Sequence, residues 1–532
     1  MTVRRAVPER TGFLPTVRVM NSPRRPVSSR GRLLLVVLAG LLLVAGLAAL
    51  RAERRPPRGV GGVASLAPSD CGGTRVQAGG DPQEVLDGQP EGASFCFSAG
   101  SYRLAAPLRP KAGQRLVAEP GAVLDGSRVV GGWQRSGREW SATGYLPAEP
   151  KAHGECVQGY GGCRYAEAVF LDDRQLWRVD SRDQLAPGRF YEDYGANAIW
   201  IADDPDGHLV EVARTGAAVT GTVEGVLLEG FVVEKFANPA QEGAVQARGR
   251  DWRIRRNDVR LNHGVGVEAA GGQVLGNHLH HNGQLGLAGT GDDQLVAGNE
   301  IDHNNTAGFS ALWEAGGTKW AETRHLVVRG NSSHDNQGPG LWTDINNVDT
   351  LYEGNTVHAN ASHGIFHEIS YDAVIRNNRV TDNGRPDRAS GWGGAGIRVA
   401  GSPNVEVYGN FLAGNSNGII LLQQQRTDWP SPYGPHELHD VDVHDNDVAM
   451  SGNVTGMVND TGDESVYGRN IRFRHNTYRL RWPEGRFFAW RGDDWDRHAW
   501  TRRFGHDTTG SFQGPIRSVL PGPDRRRAAA RP

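Results

Sequence analysis

The sequence predicts an all-β solenoid, a parallel β-helix, from three observations. A short asparagine-bearing unit recurs through the centre of the chain, glycine reaches 72 of 532 residues, and no long stretch repeats apolar residues at the helical period. The unit reads Asn, four residues, Asn, with glycine close behind. It begins at Asn257, Asn277, Asn299, Asn331, Asn355, Asn378 and Asn410, with degenerate copies at Asn446 and Asn476. A unit this short cannot bury an apolar face alone, so stability requires stacking into one continuous core. Alternating runs such as "VGVE" (265–268) and "LGLA" (285–288) supply the strands. Asparagine and glycine supply the corners, because both tolerate left-handed backbone. Asparagine at one phase of every coil can also stack as a hydrogen-bonded ladder.

The elements follow in chain order. Residues 1–32 form a basic tail with eight Arg and one Glu. Residues 33–50, "LLLVVLAGLLLVAGLAAL", are apolar throughout, and a helix of that length spans roughly 27 Å. They are expected to be a transmembrane signal anchor, with the N-terminus inside and the C-terminal region outside the cell. Cleavage of the segment as a signal peptide would instead give a secreted protein. Residues 51–93 lead into the β-helix of 94–480, interrupted at 133–215 by a small β insert. A cap is expected over 481–510 and a disordered tail over 511–532. The cysteines Cys71, Cys96, Cys156 and Cys163 all follow the apolar segment, and an even count on an exported side predicts two disulfides. Cys71–Cys96 and Cys156–Cys163 are the local pairings, and other pairings stay open. A formal net charge of -2 argues against a nucleic-acid partner.

Glycine at the strand start sets a register. Gly266, Gly286, Gly308, Gly340, Gly364 and Gly396 precede apolar Val267, Leu287, Phe309, Leu341, Ile365 and Ile397, which therefore point inward. Alternation sends the next residue and the one two further on outward. In "GLWTD" and "GIFHE" those outward residues are Trp342 with Asp344, and Phe366 with Glu368. Neighbouring strands lie about 4.8 Å apart, and like charges at that spacing repel. Such a pair costs stability and pushes two pKa values apart, the arrangement of a retaining glycosidase. Trp342 and Phe366 are then placed to stack on sugar. Three insertions carry further aromatics: 314–324 with Trp320, 384–394 with Trp392, and 424–437 with Trp429 and Tyr433. They would wall a pocket around the acids.

The asparagine-rich repeats resemble right-handed parallel β-helix proteins of the pectate-lyase-like group, and the opening "SAGSYRLAAPLRPKAGQRLVAEPGAVLDGS" (98–127) is similar to their first coils. "GLWTD" followed one coil on by "GIFHE" resembles the catalytic region of β-helix β-xylosidases. That resemblance implies a glycoside hydrolase acting on a plant or microbial glycan, with Asp344 as nucleophile and Glu368 as acid/base. No cofactor is then needed. A polysaccharide lyase or epimerase is the alternative: Glu314, Asp344 and Glu368 would hold calcium, with Arg398 beside them. A non-catalytic glycan-binding or envelope protein is the third reading, with the acids on a solvated face. His363 is expected to support the site and His367 to lie in the core. His280, His334 and His358 share one phase, read as stacked polar turns rather than a metal ladder.

Overall fold

In the computed structural model, residues 69–384, 393–426, 430–450 and 453–515 are described. Each central coil makes three strands and three corners. One coil runs Val265–Ala270, Gln273–Leu275 and His278–His280; the next runs Leu285–Asp292, Leu295–Ala297 and Glu300–Asp302. Strands pair in parallel with their counterparts one coil on, as Val267 with Leu287, Val274 with Val296 and Leu279 with Ile301. The stack thus has three faces, here first, second and third in chain order. Alternation points Val267, Leu287, Leu341, Ile365 and Ile397 inward from the first face, Val274, Val296 and Tyr352 from the second, and Leu279, Ile301 and Val357 from the third. These side chains form one core along the stack.

The two asparagines of each unit make two ladders, one at each end of the third-face strands. In the first, Asn277 Nδ2 donates to Asn299 Oδ1 at 3.0 Å, Asn299 to Asn331 at 2.9 Å and Asn331 to Asn355 at 3.0 Å. In the second, Asn282 donates to Asn304 at 3.1 Å, and Asn304 to Asn336 and Asn336 to Asn360 at 2.9 Å. The residue before each second-ladder asparagine is left-handed, with φ of 52° at His281, 51° at His303 and 54° at Asp335. That turn swings the chain from the third face to the first, and the buried amide satisfies backbone groups the corner would otherwise orphan.

The insert forms two small sheets. One joins Arg174–Gln175, Val169–Leu171, Val210–Ala213 and Ser127–Val129; the other joins Trp177–Arg178, Arg189–Asp193, Ala198–Ile201, Glu139–Thr143 and Gln134–Ser136. Buried Lys235, from the coils, pairs with Glu211 of the insert at 2.6 Å and also with Asp173. Both expected disulfides, Cys71–Cys96 and Cys156–Cys163, are formed. At the other end, Phe488–Trp490 and Asp493–Trp495 pair antiparallel over the last coil.

One expectation is corrected here. Among the described residues no helix is long and apolar enough to cross a membrane, and the α-helix Pro82–Asp87 has six residues. Residues 33–50 lie outside the described residues. Eighteen apolar residues meet only the minimum length for a span, and hydropathy alone does not make one. Among the described residues the fold class is therefore the all-β solenoid with its β insert, and none of its helices is a transmembrane helix. The signal anchor, the membrane partner and the single-pass localisation are withdrawn with it.

Candidate functional site

The first face carries the acids. Leu341 pairs with Ile365, Trp342 with Phe366 and Thr343 with His367, so Asp344 and Glu368 follow at matching positions on adjoining coils. One coil on, Phe366 pairs with Arg398 and Glu368 with Ala400. One coil earlier the register differs from the expected one. The strand there is Gly316–Arg329, and Trp320, not a residue of "GFSAL", pairs with Thr343. Leu312 is 98% exposed. Two glycines and a lysine hid this strand, because an outward lysine and a buried tryptophan read as loop composition. Thr318 holds the inward position expected of Phe309, and Lys319 the outward position beside it. Trp320 lies in the core rather than on a pocket wall.

The acid pair is buried: Asp344 is 6% and Glu368 7% exposed. Lys319 Nζ lies 3.1 Å from Asp344 Oδ2 and 3.1 Å from Glu314 Oε2. Arg426 pairs with Glu368. Asp344 Oδ1 is buried and has no hydrogen-bond partner among the described residues. Burial, then repulsion from Glu368, pushes the Asp344 carboxyl up to about 6, against the pull of Lys319 and Arg426. Burial also acts on Lys319, but Glu314 and Asp344 outweigh it and hold its ammonium above the usual lysine range. Replacing Lys319 by Met removes the nearer cation. The Asp344 titration, followed by carboxyl NMR, should then move up by roughly one to three pH units; an unchanged titration would show that Lys319 does not set this site's charge.

The neighbouring outward column stacks Lys319, Trp342, Phe366 and Arg398. The Trp342 and Phe366 rings lie 5.6 Å apart and 9° from parallel. Lys319 Nζ sits 4.6 Å from the Trp342 centroid and Arg398 Cζ 4.6 Å from the Phe366 centroid. Both outer ring faces meet a cation and the inner faces meet each other. These rings therefore floor the site and present edges, rather than faces open to sugar. Arg398 Nη1 lies 2.8 Å from His363 Nε2, and the Ala395 N–H donates to His363 Nδ1 at 3.0 Å. Both nitrogens face donors, which bars a cationic ring; burial and then Arg398 hold His363 well below its ordinary value. Beneath the acids, Tyr352 donates to Thr343 Oγ1 at 3.1 Å, which lies 2.8 Å from His367 Nδ1. Burial pushes His367 down to about 3, so the core histidine is neutral.

The structure thus gathers Asp344, Glu368, Trp342, Phe366, Arg398 and His363, and reaches Glu314 through Lys319. Trp392 and Trp429 lie outside the described residues. Sequence reasoning missed Lys319 and Arg426. Lys319, one of four lysines in the chain, lies in a strand whose composition hides its period, and Arg426 follows the strand Asn417–Gln423, outside the repeat. A separate cavity of about 400 Å³ lies between the insert and the coils, lined by Tyr160, Trp177, Arg178 and His263, and reaches neither acid.

A family model described as "Right handed beta helix region" matches residues 243–412. No curated protein sequence matches the chain. A solved structure described as "The complex structure of XylC with xylose" is similar over 75% of this chain and 80% of that one, at 15% identity and a TM-score of 0.57. The A-module of the Azotobacter vinelandii mannuronan C-5 epimerase AlgE6 is similar over 81% of this chain and 93% of its own, at 13% identity and a TM-score of 0.45. At these identities a likeness speaks to fold alone. With the parallel strand pairing and the ladders, the family model and the XylC likeness show that the fold is a right-handed parallel β-helix.

Proposed function

We infer that the chain is a carbohydrate-active enzyme, and specifically a retaining glycoside hydrolase whose catalytic pair is Asp344 and Glu368. One observation carries the reading: two carboxyls emerge at matching positions from adjoining coils into a buried site that lifts one of them to about 6. The strand spacing of about 4.8 Å is close to the 5–5.5 Å of retaining pairs. One carboxyl protonates the glycosidic oxygen while the other attacks the anomeric carbon, and the leaving sugar departs. Water, deprotonated by the first, then displaces the glycosyl ester. XylC, described in complex with xylose, supports a sugar-directed use of this fold.

The resemblance assigns attack to Asp344 and protonation to Glu368. The electrostatics of the free protein favour the proton on Asp344, and in a coupled pair the titration belongs to both. Azide decides the roles. In a variant lacking the nucleophile it yields a glycosyl azide of inverted configuration; in one lacking the acid/base it yields the retained product.

The cation-dependent reading is weakened by Lys319, whose ammonium already bridges Glu314 and Asp344. Among the described residues, Glu314, Asp344 and Glu368 do not bring three ligand atoms within 4.8 Å of one another. The test is a screen of aryl glycosides and glycan polymers. Hydrolysis with retained configuration is expected, with kcat/KM falling as pH rises through about 6 and the pair loses its proton. An unsaturated, ultraviolet-absorbing product would establish a lyase instead, and turnover of nothing would leave a binding protein.

A further inference from the structure

We propose that the third face binds a divalent transition-metal ion, with Asp302, His303 and His334 as its ligands. The site lies on strands that the acid pair does not use. Strand pairing aligns Asp258, His278 and Glu300 in one outward column, and Arg260, His280, Asp302, His334 and His358 in the next. His281 and His303 follow at the left-handed corners, which turn their rings toward the same strip. Three overlapping triples place their ligand atoms within 4.8 Å of one another: Asp258 with His278 and His280, His278 with Glu300 and Asp302, and Asp302 with His303 and His334. Asp302 is common to two of them and is itself buried.

The local geometry favours the last triple. Asp302 Oδ2 and His303 Nδ1 share a hydrogen bond of 2.6 Å, which a bound ion would replace, with the two atoms moving slightly apart to hold it. His334 Nδ1 lies 2.9 Å from Asp335 Oδ2, so a carboxylate orients that ring. Its Nε2 lies 3.4 Å from Glu300 Oε1 and donates a proton to that carboxylate unless a cation takes the proton's place. A carboxylate behind a metal-binding imidazole is the arrangement that sets tautomer and basicity in such sites. The rings are also stacked in register: His281 on His303 at 5.0 Å and 2°, and His334 on His358 at 4.7 Å and 3°. Two imidazoles and one carboxylate suit zinc, cobalt, nickel or copper. They do not suit calcium or magnesium, which require oxygen ligands in larger number.

The test uses the full chain, dialysed against chelator and titrated calorimetrically with zinc chloride, with cobalt(II) as a spectroscopic probe. The expected result is one ion per chain, release of protons on binding, and visible cobalt absorption of a low-coordinate nitrogen and oxygen site. The double variant His303→Gln, His334→Gln should lose more than about tenfold in affinity, a loss that even outer-ligand changes can cause. His325→Gln, an exposed histidine paired to Asp293, should bind like the parent. Two outcomes would overturn the site: no stoichiometric ion on the parent, as hydrogen-bonded histidine–carboxylate pairs alone would give, or a double variant that binds as tightly as the parent.

Discussion

Replacing Asp344 by Asn removes turnover and, above pH 6, makes the protein harder to unfold. The first effect is expected at about a thousandfold or more, because one half of the carboxyl pair is lost. The second follows from linkage. Burial and Glu368 raise the folded carboxyl from its ordinary 3.8 to about 6, so the folded state binds this proton more tightly than the unfolded chain. Holding Asp344 ionised therefore costs nothing below about pH 4, and the cost grows to its full size as pH rises through about 6. The full size is on the order of 3 kcal/mol, reduced in the variant because Lys319 keeps only Glu314. Urea titrations of parent and variant at pH 4 and pH 8 measure the difference. An active variant would remove Asp344 from the chemistry; an equal stability at pH 8 would remove the strain.

Asn355→Ala should destabilise the coils by about 3–5 kcal/mol, a large effect for one surface-distant polar side chain. Asn355 Oδ1 accepts from the Asn331 N–H at 2.9 Å and from Asn331 Nδ2 at 3.0 Å. Its Nδ2 donates to the Val328 carbonyl and to Asn378 Oδ1, both at 2.9 Å. Truncation leaves these buried groups unpaired, and each such loss costs about 1–3 kcal/mol before relaxation. Chemical denaturation monitored by circular dichroism checks this. A loss below about 1 kcal/mol would show that water or backbone movement replaces the amide.

Most of the scaffold was legible because stacking imposes one residue type at one phase. The asparagine spacing gave the coils, and the matched "GLWTD" and "GIFHE" gave the register of Leu341–Thr343 on Ile365–His367, after which Asp344 and Glu368 follow. Failures came where a coil departs from its neighbours. The strand Gly316–Arg329 runs across two faces without a break and carries Lys319 outward, so its composition hides its period. Trp342 and Phe366 were legible as outward aromatics, but their cation-covered faces depend on Lys319 and Arg398 from other coils. The contact of Arg426 with Glu368 is set by a loop path that no repeat specifies. The third-face histidines were visible as a phase; their convergence on Asp302 needed the corner residues, whose direction comes from left-handed backbone.

The first amide ladder ends on a carboxyl: Asn476 Nδ2 donates to Asp507 Oδ1 at 3.0 Å, and the Tyr478 hydroxyl and Trp500 indole donate to Oδ2 at 2.8 and 3.0 Å. Every amide in that column points its N–H toward the C-terminus, so the column is polar, and its last hydrogen meets a group with nothing left to give. Growth of such a molecule, by gene duplication or by design, is therefore admissible only between existing turns, where sender and receiver both continue. Anything appended beyond Asp507 would find the line already closed.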